Sequence, residues 1–358
     1  MDPLGTSLMG DFRACSRSHH RTRSRWKNRF YSFAHRSGLT SLARTRFAGC
    51  GAILLTHEIH GDLAGQLMTG VSPAFLDAAL RWLASNGWKF VSLGDAMAQV
   101  ANREQTRFIC LTFDDGYRDN LIHALPILER HAAPFALYVP TGAITRNLDS
   151  WWLGLRRLFM TRDVVDIEPM DARFRCRDLD SKRAGLAAVD HWVHHDYRRS
   201  SMLEPTFRGS GISLQELNEE YFLSRNELET LSRHPLVTVG AHTTSHAALS
   251  TLDEVSARRE MSENRDYLEN LLQKPVRHFA YPYGDARACG PREGAMAAEM
   301  GFETAVTGRQ GQVRREHADY PHVLPRIGIN AETTLPTLDV RVSGFKQAPK
   351  GQSQIVTW

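Results

Sequence analysis

The stretch Phe108-Ile-Cys-Leu-Thr-Phe-Asp-Asp-Gly-Tyr117 constrains the fold more than any other part of the chain. An apolar run rich in β-formers predicts a buried strand, and the strand ends in two adjacent carboxylates, Asp114 and Asp115. Gly116 follows, and then a segment of helical period begins. In an open sheet or barrel of parallel strands this places both acids at the carboxyl end of a strand, where such folds gather their functional residues. Two carboxylates beside apolar residues repel each other. They stay ionised at low cost only next to a cation, unless one takes up a proton. The remainder of the chain must therefore supply metal ligands or a partner acid.

The segments around this stretch alternate between strand and helix patterns. A short apolar strand, Gly51-Ala-Ile-Leu-Leu-Thr-His57, ends in a histidine. Residues 72–87 read as a complete helix, with Ser72 as N-cap, Pro73 at the first helical position and Gly87 at the C-terminus. Residues 88–93 predict a strand, 94–102 a helix, 118–131 a helix bent or broken at Pro126, and 134–139 a strand. After residue 224 the alternation resumes: a helix opened by a Ser224/Glu227 capping box, a strand at 236–240, a long amphipathic helix over 253–272, a strand at 278–284, a helix at 291–300, and strands at 303–307 and 323–329. This is the signature of a parallel α/β fold. Residues 145–222 break the pattern. They hold Trp151, Trp152 and Phe159, an Arg/Asp-rich stretch and a helix near 183–199, and are too long for a plain loop. They predict an inserted helical region within a domain spanning 47–342.

The ends differ in charge from the body. The formal net charge is +4, but residues 1–46 carry ten Lys/Arg against two Asp, a net +8. The rest has 34 basic and 38 acidic residues, a net −4, so no nucleic-acid surface is implied for the body. Residues 1–46 read as a basic, disordered leader, with a possible short helix over 29–46, and a lipid- or polysaccharide-binding arm as the alternative; 343–358 read as a flexible tail. Five scattered cysteines suggest reduced thiols. No apolar run is long enough to span a membrane and no ordinary secretory signal is seen. Together these features favour the cytoplasm.

Candidate metal ligands stand just beyond a strand, in Ala241-His-Thr-Thr-Ser-His246. On a helical turn, a four-residue spacing puts the imidazoles of His242 and His246 on one face. Alone, this pair also fits a polar loop, and Asp-Asp-Gly also fits an ordinary turn. Both follow directly on apolar β runs, however, so a parallel fold can bring them to one rim. One carboxylate and two histidines make a three-point metal site with open positions, and the second carboxylate is then free to act as a base.

Thr112-Phe-Asp-Asp-Gly-Tyr117 and His242-Thr-Thr-Ser-His246 resemble the first two motifs of the polysaccharide deacetylases, carbohydrate esterase family four, which includes the nodulation-type chitooligosaccharide deacetylases. Ala280-Tyr-Pro-Tyr-Gly284 resembles the third. The resemblance covers roughly residues 50–330 and implies a distorted (β/α)7 barrel. It implies that Asp115, His242 and His246 bind a divalent ion, zinc or alternatively cobalt or manganese. Asp114 would be the general base that takes a proton from the attacking water, and the backbone N–H of Tyr283 would hold the oxyanion. The expected substrate is an N-acetylated oligo- or polysaccharide such as a chitooligosaccharide, with Tyr117 and Tyr281 lining its site.

Two positions depart from the pattern. The family's Arg that orients the catalytic Asp matches Ala280 here, and the last motif reads Leu324-Pro-Arg326 with no histidine after Leu-x. His322, or nearby His317, is the candidate acid, and Arg326 is a candidate for an electrostatic role, because a guanidinium is a poor proton donor. His57 could line the rim or be structural. Trp151 and Trp152 could stack on sugar or form core. Rival readings are a carbohydrate O-acetyl esterase, a sugar-binding protein that has lost catalysis, and an iron oxygenase with a two-histidine, one-carboxylate site.

Overall fold

Strands that are apolar along their whole length must be covered on both faces, and here they close on themselves. In the computed structural model residues 29–345 are described, apart from 64, 66, 68 and 106. The strands are β1 (Gly51–Thr56), β2 (Lys89–Phe90), β3 (Phe108–Phe113), β4 (Phe135–Val139), β5 (Val164–Ile167), β6 (Ala172–Arg175), β7 (Val237–Ala241), β8 (His278–Ala280), β9 (Thr304–Gln310) and β10 (Leu324–Gly328). Parallel pairing runs β1-β10-β9-β8-β7-β4-β3, and β3 pairs with β1 along its whole length, from Gly51↔Phe108 to Thr56↔Phe113. The result is the expected closed seven-stranded parallel barrel, with the two-residue β2 added beside the first half of β3. One face of the strands packs inward around Ile53, Phe108, Cys110, Tyr138, Ala280, Val306 and Leu324. The other packs under the surrounding helices, through residues such as Leu54, Leu111, Phe135 and Phe279.

The local readings fare differently. Ser72 caps the helix Pro73–Ser85 by accepting from the Phe75 N–H, and Ser224 and Glu227 form the capping box of Arg225–Ser232. The helix anticipated at 118–131 divides into a π-type turn, Asn120–Ala124, and an α-helix, Leu125–Arg130. Pro126 lacks an N–H to give to residue 122, so the turn before it widens and Leu125 N–H reaches back to the Asn120 carbonyl. The helix anticipated at 183–199 lies at Leu179–His195, because Asp178 caps it early through Ser181.

Between β4 and β7 the chain forms a second apolar cluster around Trp151, Phe159, Val189, Tyr197 and Phe207. Its helix Trp151–Thr161 is fastened to the barrel by Arg156, whose Nη1 and Nη2 each lie 2.7 Å from a carboxylate oxygen of Glu58, a fully buried residue just past β1. Residues 1–28, and all of 343–358 beyond Phe345, fall outside the described residues. Within the basic N-terminal segment, residues 29–36 and Leu39–Phe47 are helical. This pair is held to the helix Leu335–Val342 by the buried Asp339, which takes bonds from Thr40 (2.6 Å) and Arg44 (3.0 Å) and meets His35 (2.7 Å). Residues 343–345 also pack: Ser343 is fully buried and the Phe345 ring meets Phe30.

Candidate metal and catalytic centre

Parallel strands bring their carboxyl ends to one rim, and the residues just beyond β3 and β7 meet there. Asp114 and Asp115 are both nearly inaccessible to solvent. Asp115 adopts a left-handed backbone (φ 73°), uncommon for a residue with a side chain, and Gly116 continues it (φ 72°). Asp115 Oδ1 lies 3.4 Å from His242 Nε2 and 3.2 Å from His246 Nε2. Ligand atoms about 2.0–2.2 Å from a tetrahedral zinc sit roughly 3.4 Å apart, so these spacings suit a shared ion. One ligand atom from each of the three residues falls within 4.8 Å of the others.

Two further observations fit a cation. Asp115 Oδ1 is buried and takes no hydrogen bond. His242 Nδ1 lies 2.7 Å from the Ala280 carbonyl, which can only accept, so the proton sits on Nδ1 and the lone pair of Nε2 faces Asp115. Burial pushes the Asp115 carboxyl up in pKa, but the fields of His246, His242 and His57 hold it well below the usual carboxylate range. Burial lowers the His246 imidazole, partly offset by Asp115.

The two histidines do not lie on a helical turn, as their spacing suggested. They lie in a loop with left-handed Thr243 (φ 61°) and His246 (φ 59°). Two residues of the helix Glu254–Leu272 hold that loop. Asn264 Oδ1 accepts from the His242 N–H at 2.7 Å, while its Nδ2 donates to the Val139 carbonyl and to Thr141 Oγ1. Glu260 accepts from the N–H groups of Thr244 and Ser245 and from the Ser245 hydroxyl.

Asp114 has a different partner. Arg326, projecting inward from β10, forks onto both of its oxygens at 2.7 Å and also donates to the Thr307 carbonyl and to Thr112 Oγ1. The guanidinium is about 1% exposed and lies over the Tyr138 ring. Burial raises the Asp114 pKa, yet the charges of Arg326, His242 and His57 hold it below its ordinary value. The orienting arginine absent at Ala280 is thus supplied from another strand. Ala280 contributes its carbonyl to His242 instead.

Other anticipated residues divide. His322 does not reach the centre. It precedes β10, at the amino end of the barrel, with Nε2 2.7 Å from the Phe302 carbonyl. His317 lies at the same end, bonded through Nδ1 to the Arg314 N–H. Tyr281 is core: it is 1% exposed, packs on Phe279, and donates its hydroxyl to the His322 carbonyl. Tyr117 is also buried, and its hydroxyl accepts from Trp152 Nε1 at 2.7 Å. The side chain at the rim is therefore that of Trp152, with its ring 4.9 Å from His246. Tyr283 flanks His246 on another side, ring centroids 4.8 Å apart, and its hydroxyl accepts from Trp151. Its backbone is left-handed (φ 61°), and its N–H makes no hydrogen bond among the described residues. The next residue, Gly284, passes so close to β9 that a Cβ there would lie 2.1 Å from the Gly308 nitrogen. His57, at the carboxyl end of β1, is half-buried, and its charge acts on both Asp114 and Asp115.

The closed parallel barrel thus carries on its rim a buried carboxylate–imidazole cluster that could hold a metal ion, with a second carboxylate held by arginine beside it. The family model described as polysaccharide deacetylase matches residues 101–304, more than half of the chain, and the chain belongs to that family. Among curated proteins it is 25% identical over 276 residues to the poly-beta-1,6-N-acetyl-D-glucosamine N-deacetylase of Escherichia coli K12, covering 75% of this chain and 35% of that protein. The chain thus spans about a third of the length of the curated relatives it matches. Among solved structures, the Streptococcus pyogenes deacetylase PplD in complex with acetate superposes with a TM-score of 0.55 at 18% identity, covering 81% of this chain and 97% of that one. IcaB from Ammonifex degensii superposes at 0.52 with 17% identity, covering 83% and 98%. These likenesses agree with the barrel fold.

Proposed function

We propose that the chain is a metal-dependent N-deacetylase acting on a polymer of N-acetylglucosamine. The observation that carries this reading is the separation of the two adjacent carboxylates: Asp115 faces two imidazoles, while Asp114 is fixed by Arg326. Water cleaves the acetamide, giving acetate and a free amine. A divalent ion held by Asp115, His242 and His246, with zinc, cobalt or manganese as candidates, would supply Lewis-acid polarisation of the acetyl carbonyl and of water. Asp114 takes the proton of the attacking water through a lone pair that Arg326 leaves free, and the guanidinium fixes the direction of that lone pair. The free N–H of Tyr283 points to the oxyanion-donor role. The leaving nitrogen needs a proton. With His322 at the opposite end of the barrel, His57 takes the role of donor, because it stands on the same rim as the acid pair. Trp152 offers a flat face beside His246 for a sugar ring.

The reading as a sugar-binding protein without catalysis rested partly on Ala280, and Arg326 on Asp114 removes that ground. The name of the Escherichia coli relative favours a β-1,6-linked polymer as first substrate over the chitooligosaccharide suggested by the motifs. The test is acetate release from β-1,6- and β-1,4-linked N-acetylglucosamine oligomers by chelated protein resupplied with zinc, cobalt or manganese. Release should require metal and be lost in Asp114→Asn and His57→Gln with metal content unchanged. No release under any of these metals, or full activity of Asp114→Asn, would refute the assignment.

A further inference from the structure

The N-terminal helical pair makes no contact with the candidate centre, yet it carries a group of large apolar side chains in solvent. Phe30 is 51% exposed, Phe33 62% and Leu42 71%, with Leu39 at 38%. A surface helix ordinarily turns such residues inward. Here the inward positions are already filled: Tyr31 and Ala34 pack on Val340, and Thr40 and Arg44 are fixed by Asp339. The outward face is a separate stripe. Arg29, Phe33 and Arg36 are spaced four and three residues apart on one side of the first helix, with Phe30 beside them. The second helix presents Leu39, Leu42 and, one turn on, Arg46.

We infer that this face, residues 29–46, docks on an anionic lipid surface, lying in the interface with Phe33 and Leu42 among the acyl chains and Arg29, Arg36 and Arg46 at the headgroups. Apolar residues bordered by arginine on a polar helix are the pattern of interfacial attachment. The charge supports this occupant over a second copy of the chain. Residues 29–46 hold four Arg and no Asp or Glu, so two such faces would repel while an anionic bilayer attracts. No described helix is long and apolar enough to span a membrane. The geometry also gives an orientation. The second helix leads into β1 at its amino end, whereas Asp114 and Asp115 follow the carboxyl end of β3, so the two lie toward opposite ends of the barrel.

The experiment is co-sedimentation of the full chain with vesicles of phosphatidylcholine alone, or of phosphatidylcholine and phosphatidylglycerol in equal parts, with light scattering of the free protein in parallel. The wild type should sediment with the anionic vesicles, not with the neutral ones, and should be released at about 1 M salt, where charges are screened within a few ångströms. Phe33→Ser/Leu42→Ser should weaken partitioning about tenfold or more, and each of Arg29→Glu, Arg36→Glu and Arg46→Glu by about fivefold or more. These side chains are exposed, so thermal unfolding and acetate release in solution should not change. Absence of binding to anionic vesicles, equal binding by the variants, or a wild-type dimer that Phe33→Ser/Leu42→Ser converts to a monomer would overturn the inference.

Discussion

Arg156→Met tests whether the region between β4 and β7 is fastened to the barrel by one buried ion pair. Glu58 is fully buried, both of its oxygens take 2.7 Å bonds from Arg156, and the arginine is itself 6% exposed. Removing one partner of such a pair leaves an uncompensated buried charge, which costs on the order of 3–5 kcal/mol. Methionine keeps much of the aliphatic stem and loses the guanidinium, with its place over the Tyr221 ring, so the loss reports mainly charge rather than volume. Glu58→Leu should cost a similar amount by stranding the guanidinium. The double variant strands neither, and should lie within about 1–2 kcal/mol of wild type, because a buried pair in total contributes little against an apolar replacement. The assay is equilibrium unfolding in urea at neutral pH, with the double-mutant cycle giving the coupling energy. Single variants within about 1 kcal/mol of wild type, or a double variant as unstable as the two singles summed, would refute the reasoning. Because Glu58 follows His57, the single variants should also lower the rate of acetate release more than the double does.

Three other perturbations follow from the same geometry. Asp119, whose carboxyl accepts from the Ile59 N–H, is pushed up to about 8 in pKa by burial and the nearby Glu58 charge. Its folded value lies above its unfolded one, so keeping it costs stability progressively as pH rises from about 4 to 8. Asp119→Asn should therefore unfold at higher urea than wild type at pH 8 and equally at pH 4, a gain on the order of 2–5 kcal/mol; a gain independent of pH would contradict the linkage. Arg326→Lys keeps the charge but loses the fork onto Asp114 and the bond to Thr307, so kcat should fall about tenfold to a hundredfold with metal content, measured by atomic absorption, unchanged. Asp115→Asn and His246→Ala should each lower zinc affinity at least tenfold in competition with a chromogenic chelator, whereas Asp114→Asn should not; equal losses in all three would undo the division of roles.

What was legible in the sequence was whatever lies close along the chain. The barrel could be read because each strand and its following helix fall in one continuous stretch, with caps such as Ser72 and Ser224 marking the starts. Asp114, Asp115, His242 and His246 could be read because each pair directly follows an apolar run. The missed parts are partnerships between distant strands. Arg326 was named from the last motif, but its pairing with Asp114, 212 residues away, was not; its place as a lone charge in an apolar strand was the signal for a buried partner. Asn264 gave a similar one, as a polar residue in register with the buried Ala257, Met261 and Leu268 of its helix. A charge or amide at a core position must be paired across the fold, since burial without a partner costs several kcal/mol. His322 was misjudged for the converse reason: closeness in sequence to Arg326 suggested closeness to the centre. A parallel strand carries its two ends to opposite faces of the barrel, so a residue before β10 is excluded from the rim that His57, just after β1, occupies. In such a barrel the search for a missing proton donor belongs among residues that follow strands, whatever their distance along the chain.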